Sequence, residues 1–365
     1  MSRRIIIGGG GTGGHIFPAI SIANSLRSAD KNIEILFVGA LNKIEMEKVP
    51  EAGYKIIGLP VAGFQRKLSL KNISFFLKLW QSMQRSKKII RDFKPDVALG
   101  VGGYASGPIL KAAARKSIPI VIQEQNSYAG ITNKILAKSA VKICVAYDGM
   151  ERFFPKEKII LTGNPVRRDI INPGTEKGAA LRHFGLKPDK QTILILGGSL
   201  GARTINNSIA ANLLSIPDEV QLLWQCGKLY FSEMKDKLEK SGKKNVVLLE
   251  FIREMNFAFC AADVIISRAG AGTISELAIV AKPVILLPSP NVAEDHQTQN
   301  ALSLVNKGAA ILIKDSEASE MLIKRVLSLV NNIEERKNLS ENLQKLAIPD
   351  SAERIATEIL KLIEK

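Results

Sequence analysis

The sequence predicts an α/β fold made of two similar nucleotide-binding-type domains. Three observations carry that expectation. A short apolar strand, a glycine-rich turn and an amphipathic helix recur along the chain, the pattern of βαβ units around a parallel sheet. The openings of the two halves are alike, IIIGGGGTGG near the start and LILGGSLGAR near the middle. The length of 365 residues suits two domains of about 150 residues, each able to bury a sizeable core.

Taken in order, residues 4–7 form a strand before GGGGTGGH, and residues 33–38 a second apolar strand. Residues 97–101 precede GGYASGP, and 118–123 read as the next buried strand. Residues 163–174 (GNPVRRDIINPG) hold two Asn-Pro pairs and flanking glycines, a turn-rich stretch that few helices could cross. The hinge is placed there, giving a first domain over 1–164 and a second over 165–345. Beyond the hinge, 192–196 lead into GGSLGAR and 264–267 into RAGAGTISE, with further strands at 246–249 and 284–288. Each run is short enough for a buried parallel strand. Residues 351–365 close the chain as a helix with Ile355, Ile359, Leu362 and Ile363 on one face.

Composition narrows the class. Hydrophobic residues at 46% and charged residues at 24% exclude a mainly disordered chain. The start MSRRIIIGGGG has only three apolar residues before glycine, and no run of eighteen occurs, so neither a signal peptide nor a membrane span is expected. Three widely spaced cysteines, Cys144, Cys226 and Cys260, suggest neither a disulfide framework nor a zinc knuckle and fit a reducing cytoplasm. The net charge of +16 is one-sided: residues 1–164 carry 25 Lys and Arg against 11 Asp and Glu, residues 165–365 carry 26 against 24. Such asymmetry points the first half at an anionic partner: nucleic acid, an anionic bilayer or phosphorylated substrates.

The first glycine turn holds a G-x-G-x-x-G at Gly8, Gly10 and Gly13. A nicotinamide cofactor would also need an acidic residue at the end of the second strand, where the sequence reads Phe37-Val38-Gly39-Ala40-Leu41. A redox cofactor is therefore discounted. What remains is a turn whose N–H groups can crowd a phosphate at the positive end of a helix starting near Pro18. Gly102-Gly103 and Gly197-Gly198-Ser199 offer the same device, or are simply tight βα turns.

His15 stands where the first turn becomes a helix. A helix N-terminus disfavours imidazolium, so this side chain is expected to be neutral and able to take a proton. Thr273-Ile274-Ser275-Glu276 has the spacing of a capping box, while Glu276 is equally suited to the hydroxyls of a nucleotide ribose. His296 and Gln297 lie on a polar loop-to-helix start. Residues 73–80, with Phe75, Phe76, Leu77, Leu79 and Trp80 among Lys67, Lys71, Lys78, Arg85, Lys87 and Lys88, suit either an interfacial helix on anionic lipid or a helix buried in the first domain.

Seven motifs in order resemble the MurG-type family of peptidoglycan N-acetylglucosaminyltransferases. They are GGGTGGHIFPA (9–19), GVGGYASGP (100–108), EQNSYAG (124–130), GNPVR (163–167), GGSLGAR (197–203), SRAGAGTISE (267–276) and DHQTQNA (295–301). The resemblance spans nearly the whole chain. It implies a GT-B fold of two Rossmann-like domains facing across a cleft, and an inverting hexosyltransferase. Such an enzyme moves N-acetylglucosamine from UDP-N-acetylglucosamine to the C4 hydroxyl of N-acetylmuramic acid in lipid I, forming lipid II for peptidoglycan synthesis. In that family the second domain binds the donor, the basic first domain takes the membrane-bound acceptor, and the C-terminal helix, about 346–365, returns to the first domain.

Carried over by motif, the donor site would comprise Thr12, Gly13, Gly14, Asn126, Arg167, Ser199, Ile252, Ala271, Gly272, Thr273, Ile274, Ser275, Glu276 and Gln297. Ile252 would contact uracil through its backbone, Glu276 the ribose and Gln297 the sugar hydroxyls, with His15 as the base. Two departures stand out: Gln123 where many relatives have His, and Tyr128 in a stretch that is often smaller. The chemistry needs one base and a stabilised leaving group. No D-x-D motif occurs, so no metal and no cofactor is expected. The resemblance also implies a peripheral location on the cytoplasmic face of the plasma membrane, with cell-wall synthesis and division proteins as partners. Two rivals are a UDP-sugar 2-epimerase, which would lack the lipid-facing patch, and a basic nucleic-acid-binding protein. The second lacks a nucleic-acid motif, and 5% aromatic residues leave few stacking platforms, so no nucleic-acid partner is expected.

Overall fold

The computed structural model describes residues 3–61, 71–172, 174–198, 200–292 and 295–364, the side chains of 71–74 excepted. The chain divides into two compact units, Met1–Val166 with Ile348–Lys365, and Arg167–Ala347. Each is a parallel sheet between helices.

In the first unit seven strands run in the order β3-β2-β1-β4-β5-β6-β7: β1 Arg4–Gly8, β2 Glu34–Ala40, β3 Lys55–Leu59, β4 Val97–Gly100, β5 Ile120–Glu124, β6 Lys142–Val145 and β7 Ile159–Leu161. Alternation along each strand divides its side chains between two cores. Ile5 and Ile7 of β1, Phe37 of β2 and Leu99 of β4 face one core, with Ile16, Ala19 and Ile22 of α1 (Gly13–Ala29). Ile6, Val38 and Ala98 face the other, with Ile109 and Leu110 of a helix over Ser106–Ala114. The last helix, Ser351–Ile363, sets Ile355, Ala356 and Ile359 into the α1 core. Its return is thus an apolar contact; burying each of the two isoleucines contributes about 1.5–3 kcal/mol.

The second unit holds six parallel strands in the order β10-β9-β8-β11-β12-β13: β8 Gln191–Leu196, β9 Val220–Gln225, β10 Val246–Leu249, β11 Val264–Ser267, β12 Val284–Leu286 and β13 Ile311–Leu312. In both units the order reverses beside the first strand. The glycine turns following β1, β4, β8 and β11 therefore open at the carboxyl ends of adjacent strands, where doubly wound sheets bind ligands.

The helix carrying the aromatic stretch spans Lys71–Phe93. Its second half packs Ile89 and Ile90 into the first unit's core. Its first half leaves Phe76 at 62% and Trp80 at 63% exposure, with Leu77 also in solvent. A wholly buried helix is thereby excluded. Lys67 and the side chain of Lys71 lie outside the described residues.

Candidate active site

The first glycine turn is shaped by backbone only glycine adopts readily: Gly10 and Gly11 have φ of 135° and 95°. Helix α1 begins at Gly13 and contains Pro18, five residues earlier than a start at Pro18. Pro18 is inside the helix rather than in its first turn, and His15 is in the first turn instead. Thr12 is the extended N-cap residue and its hydroxyl makes no capping bond. Thr12 Oγ1 lies 3.0 Å from His15 Nδ1. On its other side the imidazole meets Gly102, where a Cβ would stand 2.9 Å from both Cδ2 and Nε2. Gly13 and Gly14 supply the first helical residues, so Thr12 to His15 form one polar turn at the sheet's carboxyl edge.

Asn126 belongs to the same edge of the same unit, since β4 lies between β1 and β5 in the sheet. Glu124, buried at the end of β5, holds its loop: Oε1 accepts the Asn126 N–H at 3.0 Å and side-chain Nδ2 at 3.3 Å. Oε2 accepts the Gly130 N–H at 3.0 Å and Asn133 Nδ2 at 2.8 Å. Gln123 is buried and donates Nε2 to Asn164 Oδ1 at 2.9 Å, while Asn164 Nδ2 donates to the Gln125 carbonyl at 2.9 Å. Its departure from a histidine is accommodated as an amide brace between β5 and the loop holding Asn164. Tyr128 packs its ring against Phe153 at 4.8 Å, with Lys134 Nζ 4.7 Å from the Tyr128 centroid.

The remaining expected residues are in the second unit. Ala271, Gly272 and Thr273 form the first turn of a helix over Ala271–Val280, whose N-cap is Gly270, with no side-chain capping bond. Thr273 is thus a third helical residue, and the capping box suggested by its spacing does not form. Ile274 points into the protein and is 3% exposed, which leaves only its backbone for a ligand. Ser275 Oγ donates to the Ala271 carbonyl at 3.2 Å. Ser199 lies outside the described residues.

Glu276 is only partly covered, yet its carboxyl sits deep enough that burial pushes it up to about 7, against the pull of the Arg167 guanidinium. Arg167 is itself held: its Nε donates to Asp169 Oδ1 at 3.0 Å and its Nη2 to Oδ2. That bond keeps the Asp169 carboxyl below its usual range. Arg167, Asp169 and Glu276 are therefore one electrostatic group, and a carboxyl poised near neutrality within it is a candidate ligand contact.

A cavity of about 590 Å³ is lined by Gly197, Gly198, Arg268, Thr273, Gln297 and Asp315, among others. Gln297, second in a helix over His296–Val305, accepts the Ser289 N–H at 2.8 Å through Oε1. Ile252 is 2% exposed and gives its N–H to Gln225 Oε1 at 3.1 Å, while Gln225 Nε2 donates to the Gly198 carbonyl at 3.0 Å. One buried glutamine thus ties the Gly197-Gly198 turn to Ile252. Arg268 donates Nη1 to the carbonyls of Leu287 at 3.0 Å and Pro288 at 3.2 Å and pairs with Asp315, whose Oδ2 takes the Thr204 hydroxyl at 2.6 Å. Sequence reasoning assigned no role to Glu124, Gln225, Arg268 or Asp315. Glu124 and Arg268 lie inside the quoted motifs; Gln225 and Asp315 carry no local signal.

Known proteins resemble the chain throughout. The glycosyltransferase family 28 N-terminal domain matches residues 5–145 and the glycosyltransferase family 28 C-terminal domain residues 192–355. A UDP-N-acetylglucosamine–N-acetylmuramyl-(pentapeptide) pyrophosphoryl-undecaprenol N-acetylglucosamine transferase of Bacteroides thetaiotaomicron is 57% identical over 99% of this chain and 98% of its own. The protein of that name from Phocaeicola vulgatus is 58% identical over 99% and 97%. Among solved structures, Acinetobacter baumannii MurG superposes with a TM-score of 0.80 at 26% identity, covering 98% of this chain and 99% of that one. A Neisseria meningitidis UDP-GlcNAc 2-epimerase reaches 0.70 at 15% identity, over 99% and 100%, a likeness of fold alone. With two GT-B-type parallel sheets and full-length identity to these transferases, the chain belongs to glycosyltransferase family 28, among the UDP-N-acetylglucosamine–N-acetylmuramyl-(pentapeptide) pyrophosphoryl-undecaprenol N-acetylglucosamine transferases.

Proposed function

We infer that the chain is an inverting glycosyltransferase that moves N-acetylglucosamine from UDP-N-acetylglucosamine to the C4 hydroxyl of N-acetylmuramic acid in lipid I, forming lipid II. The observation that carries the reading is full-length identity of 57% to a transferase named for that donor and acceptor. Glu276 holds the ribose hydroxyls. Ile252, whose N–H is engaged by Gln225, meets the uracil N3–H through its carbonyl, and Gln297 Nε2 donates to the sugar. The N–H groups at the start of the Ala271–Val280 helix face the diphosphate and stabilise departing UDP.

His15 is the base. In the tautomer that donates Nδ1–H to Thr12 Oγ1, 3.0 Å away, Nε2 carries the lone pair that takes the C4 hydroxyl proton as that oxygen attacks the anomeric carbon. The electron pair of the broken bond leaves on UDP. Incubation with UDP-N-acetylglucosamine, with and without a lipid I analogue, tests the assignment: UDP release requires the acceptor. Release without it, together with a 2-epimerised sugar, would make the chain an epimerase.

The acceptor is presented at an anionic membrane surface, and the Lys71–Phe93 helix is the contact. Its exposed Phe76, Leu77 and Trp80 lie on a helix that also carries Lys78, Lys87 and Lys88, apolar rings and cations on one element, as suits an anionic interface, while Arg85 is held by the Gly58 carbonyl at 3.2 Å. This location is the cytoplasmic leaflet, where cell-wall synthesis and division proteins are the expected neighbours. Phe76→Ser and Trp80→Ser should each weaken binding to anionic phospholipid vesicles about tenfold, since burying such a ring contributes about 1.5–3 kcal/mol. Salt should weaken what remains. A large fall in Tm with vesicle binding intact would make the stripe structural.

A further inference from the structure

A carboxylate with no expected ligand lies beneath the first glycine turn. Glu45 begins a short helix over Glu45–Glu51 and is fully buried. Both of its oxygens accept the Gly11 N–H, at 2.9 and 3.0 Å, and Oε1 also accepts the Ala40 N–H at the end of β2, at 2.9 Å. Burying a carboxylate is costly unless it is well bonded, and here the bonds go to the turn itself. Gly10 rests directly on the carboxylate: a Cβ there would stand 2.2 Å from Oε1. On the opposite side, a Cβ at Gly103 would lie 2.1 Å from the Gly10 carbonyl oxygen.

The turn is thus clamped between Glu45 and the glycines that follow β4. One residue beyond the clamp is Thr12, whose hydroxyl meets His15 Nδ1 at 3.0 Å. The clamp also alters what the turn can offer a ligand. The Gly11 N–H is already engaged, and a negative charge lies below it, so Gly11 is not an anion-binding amide. The turn is built to hold its own side chains in place.

We propose that Glu45 is a positioning residue for the transfer reaction: its carboxylate sets the 10–12 turn and, through Thr12, the placement of the His15 imidazole. The proposal rests on the reading of His15 as the base. A double-mutant cycle of Glu45→Gln and His15→Ala, read as kcat and donor KM, tests it. The isosteric amide keeps one acceptor oxygen and sets an NH2 group against the backbone donors. In the full enzyme Glu45→Gln should lower kcat about 10²-fold, the loss that about 1 Å of misplacement can cause, with a much smaller change in donor KM, since Thr12 is the one expected donor-site residue within the turn. In the His15→Ala background the same substitution should cost nothing further.

A merely structural carboxylate would lower Tm and multiply its loss into both backgrounds. Wild-type kcat in Glu45→Gln, or a loss that multiplies fully with His15→Ala, overturns the proposal. Should His15→Ala alone keep its turnover, the base assignment is what fails, and the cycle reports that separately. If Glu45→Gln is not recovered folded, Gly10→Ala replaces it in the cycle, since its methyl pushes the turn off the carboxylate, with the same expected losses and the same contrary outcome.

Discussion

Turnover in His15→Ala should fall about 10²–10⁴-fold, the typical worth of a general base, while donor KM stays near its wild-type value. The two constants separate because the lost interaction belongs to the transition state and not to donor binding. No other histidine lies in the first unit: His183 and His296 are both within Arg167–Ala347. The imidazole is held on two sides, by Thr12 at Nδ1 and by Gly102 beside Cδ2 and Nε2, which fixes the orientation of the ring. Steady-state kinetics at saturating acceptor checks it. A mutant that keeps most of its kcat, or fails only through donor KM, makes His15 a positioning residue.

The second large effect belongs to Glu276. Replacing it with Gln should raise donor KM about 10–100-fold, since hydrogen bonds to a charged group contribute about 1.5–3 kcal/mol. Its titration adds a pH signature. Burial holds the carboxyl up at about 7, against a usual 4.5. A pKa raised on folding means that this group's contribution to stability is complete below its unfolded value and is lost as pH rises through 7. The donor-free wild type should therefore lose Tm relative to Glu276→Gln between about pH 5 and 8. Ribose hydroxyls donate to the ionised form, so wild-type donor KM should fall as pH rises through 7, and the variant should lack that slope. An unchanged donor KM in Glu276→Gln would reject the ribose assignment. A cap-only role is already disfavoured, because the helix begins at Ala271.

Much of this architecture was legible because buried parallel strands leave short apolar runs. Residues 246–249 and 264–267 coincide with β10 and β11. Strand β9, VQLLWQ, does not stand out in the sequence, although every residue in it is buried. Its polar ends hid it: Gln221 donates to the Lys187 carbonyl at 2.8 Å, and Gln225 bridges Gly198 and Ile252. Those partners come from distant segments, so the residues look like surface polars in a local window. β3 and β7 at the sheet edges stand out no better. Both are only partly buried although mostly apolar, and runs as short as Ile159–Leu161 are too brief for periodicity to mark a strand.

The candidate site divides in the same way. His15 and Glu276 could be singled out because each lies beside a glycine turn at a helix start. Glu45 could not: it sits 34 residues from the Gly11 it holds, in the run KIEMEK, which has the composition of a solvated helix face. Pro18 misled because proline favours a helix's first turn, whereas α1 starts earlier and carries it inside.

Transfer by a single displacement on UDP-N-acetylglucosamine by the acceptor hydroxyl is tested most directly by the anomeric configuration of the product formed with a lipid I analogue, read by proton NMR of the new glycosidic linkage. The donor sugar is α-linked to UDP, so one displacement predicts a β-linked disaccharide at C4 and one UDP per linkage. An α-linked product, or UDP formed with no disaccharide, would contradict it.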